Sequence, residues 1–145
     1  MSDTQVLIRL RRFLLWAVAG ACLALPVELA LAEHVESPLQ QLPFALCALG
    51  LAGALWMLRR PSRPARLGLR GAMLLQALGG VWGIWAHLQA NLELELEIRP
   101  TEGLAQVWPA ALMGASPLLA PGALILVAAL GLAATHALDL PQARR

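Results

Sequence analysis

The sequence predicts an all-α integral membrane protein with four transmembrane helices and a short outer segment made of a strand and an interfacial helix. Composition is the first ground: 59% of the 145 residues are hydrophobic, 14% are charged and mean hydropathy is +0.65. Soluble domains are roughly 45–50% apolar and about 25% charged. A domain of this size needs a large water-facing surface, and 11 arginines with 9 acids are too few to cover it. That excludes an ordinary soluble enzyme and a disordered chain. The other two grounds are four long apolar runs and a sharp segregation of arginine.

An apolar run of about 17–25 residues crosses the hydrocarbon as a helix. Residues 13–32 are the first, preceded by Arg9, Arg11 and Arg12. Residues 42–58 are the second and carry no charge, and residues 71–90 are the third. Residues 104–138 are also uncharged, but as helix they would run about 52 Å, too long for one crossing and too short for two. Pro109, Pro117 and Pro121 lie in the first half of that run, and proline is best tolerated in the first turn of a helix. The fourth span is therefore placed at 118–138. Residues 104–115, with Trp108, become a short helix on the membrane surface, within an outer segment 91–116.

With four spans, ten arginines fall on one side and only Arg99 on the other. The positive-inside rule then puts both termini and the 59–70 loop in the cytoplasm of a bacterial inner membrane. The arginines read as topology determinants that touch anionic lipid, so nucleic acid is not an expected partner despite a pI near 9.0. Basic residues, an apolar stretch and Ala30-Leu31-Ala32 also resemble a signal peptide with its cleavage site. The segment is read as a retained helix; cleavage would leave three spans.

The acids sort to the opposite side. Glu33, Glu36, Glu93, Glu95, Glu97 and Glu102 are all outside, and Glu28 is buried near that end of the first span. Residues 91–98 read N-L-E-L-E-L-E-I, an alternation that argues for a strand. Leu92, Leu94, Leu96 and Ile98 would share one face, and Glu93, Glu95 and Glu97 the other. A lone strand leaves backbone groups unpaired. Either the leucines lie on the membrane or another polypeptide completes the edge; otherwise the stretch is an extended loop.

Glu28 lies roughly 7 Å below the outer end of its span, and an ionisable group inside a membrane is a functional candidate. A pair with Arg99 would also account for it. His34 and His87 both fall at the outer boundary, where Glu28, Glu33, Glu36 and Asn91 could surround them. Imidazole with carboxylate suits a metal ion, and two histidines on facing helices could hold a haem. No local ligand spacing supports this, and His136 is at the other membrane face. Cys22 and Cys47 are expected at different depths, which argues against a disulfide and for small buried apolar side chains.

In the third span Gln76, Gly80, Gly83 and His87 recur at i, i+4, i+7 and i+11, and Gly79 with Gly83 forms a GxxxG. Small residues let membrane helices approach closely, and Gly50 and Gly53 could supply the facing surface. No zinc-ligand spacing, phosphate-binding loop or nucleophile elbow is present in the sequence. The expected function is a non-catalytic accessory or structural subunit of a bacterial inner-membrane complex, with lipid and other membrane subunits (or a second copy) as partners. The alternatives are a redox, metal- or haem-binding subunit using His34, His87 and Glu28, and a small transporter or proton conductor lined by Glu28 and Gln76.

Overall fold

The computed structural model describes residues 2–136. The chain forms five helices there: α1 (Asp3–Leu31), α2 (Pro38–Arg59), α3 (Arg63–Ile98), α4 (Leu104–Leu112) and α5 (Gly122–Ala134). No strand occurs among the described residues. Helices α1, α2 and α3 are each long and apolar enough to cross a membrane, so this is an all-α, multi-pass membrane protein. They cover the predicted spans 13–32 (up to Leu31, with Ala32 as the C-cap), 42–58 and 71–90.

The predicted fourth span, 118–138, does not appear as a helix long enough to count with the other three among the described residues. Helix α5 has 13 residues, about 20 Å, against roughly 30 Å of hydrocarbon. Residues 117–121 are turns rather than helix, with Ala120 and Gly122 donating to the carbonyls of Pro117 and Leu119. Pro121 is the N-cap, so the prolines start the helix four residues later than expected. Residues 137 and 138 lie outside the described residues, as do Asp139, Arg144 and Arg145.

Local chemistry fixes the helix ends. Ser37 caps α2 reciprocally with Gln40, and Pro38 follows it; Ser62 caps α3 ahead of Arg63 and Pro64. Ser and Pro at these positions satisfy or remove amide donors that a helix start would leave orphaned. Glu33 ends α1 in the left-handed region at φ 55°. The amide of Glu33 donates to Ala30 and that of His34 to Leu29, the paired bonds of a Schellman turn.

Helix α3 is the axis of the bundle. It packs on α2, α4 and α5, and α1 packs on α2 and α5. The core is small and apolar: Val18, Cys22, Cys47, Ala54, Leu69, Met73, Val127 and Ala128 are buried. Lipid is as apolar as leucine, so close van der Waals contact rather than hydrophobic exclusion holds such helices together. Glycines permit it. A Cβ on Gly80 would lie 2.6 Å from Ile125 Cγ1 and 2.9 Å from the Pro121 carbonyl, and one on Gly53 would lie 3.1 Å from Leu69 Cα. The bundle exterior carries Phe13, Trp16, Leu23, Leu78, Val81 and Leu126, a lipid-compatible surface. Where α1 begins, Arg11 donates to the carbonyl of His136 beyond the end of α5.

Residues 91–98 correct the sequence reading outright: they are the last two turns of α3, not a strand or an extended loop. A strand here would have needed a second backbone to pair with, whereas a helix satisfies its own. Leu and Glu are also strong helix formers, and extending an existing helix needs no new nucleus. Glu93 and Glu97 stay exposed, and Glu95 bonds Arg99 one turn on at 2.9 Å. Leu92, Leu94 and Leu96 therefore share no single face, and the segment presents no free strand edge. Helix α4 then doubles back along α3.

Replacing Gly80 with Leu should cost about 1–3 kcal/mol, since the Pro121 backbone cannot yield as a side chain would. Gly71→Leu meets open space and should be neutral. Thermal unfolding of the two variants in detergent checks the difference.

Candidate functional site

The two histidines that sequence placed at one membrane boundary come together in space. His34 is set by the Schellman turn at the end of α1, and His87 projects from α3. Their ring centres are 6.3 Å apart with planes at 65°. His87 Nδ1 lies 2.9 Å from the Pro117 carbonyl. A carbonyl only accepts, so Nδ1 carries the proton and Nε2 keeps its lone pair in the neutral ring. Both rings border a groove of about 700 Å³. Its walls are mainly apolar, from Leu29, Leu46, Trp82, Pro121 and Leu124 among others.

Glu28 lines the same groove from α1 but is exposed rather than buried. It does not pair with Arg99, which is held by Glu95 at 2.9 Å and Glu102 at 3.5 Å. Among the described residues no three His, Cys, Asp or Glu side chains gather at one point. Glu33 and Glu36 are exposed. The pair is therefore two imidazoles without a gathered carboxylate. A metal–nitrogen bond of about 2.0–2.1 Å puts a ligating ring's centre about 3 Å from the ion, so two rings on one ion are at most about 6 Å apart. The observed spacing is at that outer limit, where the ligands stand on opposite sides of the ion.

Asn91, one turn beyond His87, is the polar residue that holds this end of the molecule. It is buried, donates to the carbonyls of Ala111 and Ser116 at 3.0 and 2.9 Å, and accepts from the Ser116 amide at 2.9 Å. His87 and Asn91 thus staple successive residues, Pro117 and Ser116, to the same face of α3. Gly114 lies so close to Asn91 that a Cβ would stand 2.5 Å from its Cγ. In the sequence Asn91 is a neighbour of the histidines and the first residue of the 91–98 alternation, and its i, i+4 spacing from His87 is the signal for its role.

The small-residue stripe of α3 faces other parts of this chain. Gly79 abuts Leu46 of α2, and Gly83 lies 2.7 Å in Cβ terms from Pro121. Gln76 is completely buried, and its amide nitrogen donates to Cys22 at 3.7 Å and Cys47 at 3.8 Å. The two cysteines, both free and buried, therefore sit at one depth rather than two. Helix α2 starts at Pro38 instead of residue 42, which places Cys47 as far from the α1–α2 turn as Cys22. Gly50 and Gly53 face Gln76, Met73 and Leu69 of α3. His136 is exposed at the far end of α5.

Comparison with known families, curated proteins and solved structures finds no match.

Asn91→Leu removes three hydrogen bonds and leaves the half-buried Ser116 amide without its partner, a cost of about 1–3 kcal/mol. The expected readout is faster hydrogen exchange across 107–121 with exchange in α1 and α2 unchanged.

Proposed function

We propose that this chain is a non-catalytic accessory subunit of a bacterial inner-membrane complex, with four membrane-associated helices and both termini in the cytoplasm. The observation that carries it is the outer helical hairpin. Helix α3 has 36 residues, about 54 Å, and exceeds the roughly 30 Å hydrocarbon at both ends. With the 59–70 arginines in the cytoplasm, its last two turns stand outside the hydrocarbon, and α4 is fastened beside them. Leu104, Trp108 and Leu112 form an i, i+4, i+8 stripe on α4, and all three are exposed, as is Ile98. Lipid at the interface covers the Leu112 end. The Leu104 end stands about 12 Å higher, where a partner protein is the natural cover. The small-residue stripe and the 91–98 segment no longer motivate a partner, since one is used within the chain and the other is helical.

A photo-crosslinking residue at Leu104 or Trp108 should yield a discrete adduct in native membranes, while one at Leu78 should yield none. Absence of adducts at all three, with a stable monomer by native mass spectrometry, would sink the proposal.

A second reading rests on the histidine pair. His34 and His87, with the His87 Nε2 lone pair available and an apolar groove beside them, suit a haem or a transition-metal ion at the outer face. Purified protein should then carry a metal or a Soret band that His34→Ala and His87→Ala each abolish. Protein without metal or Soret absorption, before and after reconstitution with haemin or Zn(II), sinks that reading. A transport path through Glu28 and Gln76 gains no support: the former is on the groove rim and the latter is enclosed by sulfur.

A further inference from the structure

Deep in the bundle, where α1, α2 and α3 meet, a second polar cluster lies apart from the histidines. Cys22 and Cys47 are both free and buried. Gln76, 0% exposed, directs its amide nitrogen at both sulfurs. Its carbonyl oxygen has no hydrogen-bond partner. That oxygen and the Cys22 sulfur converge on the backbone of Gly50: a Cβ there would lie 2.9 Å from each and 3.1 Å from the Met73 methyl. Tight packing alone would select leucine at residue 76, because an unpartnered amide in an apolar interior carries its full desolvation penalty.

We propose that Cys22 and Cys47 bind a soft monovalent cation of the Cu(I) class, with Gln76 as the positioning residue that donates to both sulfurs. Thiolate and thioether ligands select such ions, and two sulfurs satisfy a two-coordinate d¹⁰ cation. Structural zinc takes four ligands and calcium or magnesium takes six or more oxygens, whereas this cluster holds two thiols and one amide oxygen. Binding displaces one proton from each thiol, so the bound form is a dithiolate with one net negative charge. The two N–H groups of Gln76 offset that charge, the role that outer-shell donors play at metal sites. Gly50 lets the Cys22 sulfur, the Gln76 oxygen and the Met73 thioether end pack together against its backbone.

The test is anaerobic titration of the reduced full chain in detergent with Cu(I), in competition with a chromogenic Cu(I) chelator. One equivalent should be retained by the wild type and by the His34→Ala/His87→Ala variant, so the outcome is separate from the histidine reading. Cys22→Ala and Cys47→Ala should each weaken retention at least ~100-fold, and Gln76→Leu by about 10–100-fold. Retention should fall as pH is lowered, because protons compete for the thiolates, and Zn(II) should not be retained. Wild-type X-ray absorption should show sulfur neighbours only, and it decides the matter if the cysteine variants fail to fold. No retention by the reduced wild type overturns the proposal. So does retention that survives both cysteine substitutions, a nitrogen-only shell, or a Cys22–Cys47 disulfide in freshly isolated membranes.

Discussion

Everything in this molecule hangs on the close approach of other backbones to α3. Gly80 admits the Pro121 carbonyl and Ile125, Gly83 admits the Pro121 ring, and Gly79 admits Leu46. On the neighbouring helices Gly50 and Gly131 make room for Met73. In lipid there is no water to expel, so helices associate only where atoms meet at short range. Side chains at these positions would hold the helices apart and forfeit that contact. The position of Pro121 in turn sets where α5 begins and where Pro117 meets His87.

The same face of α3 carries its buried or half-buried polar groups in order. Gln76 meets two sulfurs, His87 meets an imidazole and the Pro117 carbonyl, and Asn91 meets the 111–116 backbone. These contacts differ in kind. Asn91 spends both amide protons and accepts one backbone N–H in fastening the 111–116 segment to α3. His87 spends one ring nitrogen on structure and keeps the other. Gln76 spends its donors and leaves an acceptor over. Unspent capacity in a dry interior is where binding chemistry is expected, which separates two candidate sites from one structural clamp.

The α3–α4 hairpin shows where reading the sequence by period misleads. The alternation across 91–98 is real. Alternation predicts a strand only where a second strand can take up the hydrogen bonds, and none is present among the described residues. The helix that enters the segment simply continues. The depth of the cysteines failed for a related reason. Hydropathy places a span's start where apolar residues begin, whereas the Ser37–Gln40 capping box starts α2 four residues earlier, about 6 Å of axial shift.

Composition and the arginine and proline pattern, taken alone, determined that this is a multi-pass helical membrane protein, roughly where its three long helices lie, and which polar residues deserve scrutiny. They did so because lipid leaves a spanning backbone few options and apolar length is readable residue by residue. Only the tertiary structure decided that His34 meets His87, that Cys22 and Cys47 share Gln76, and that Glu28 and Arg99 stay apart. Such meetings depend on helix rotation and axial register. Those are set by contacts between glycines and side chains far apart in the chain, and no local spacing records them.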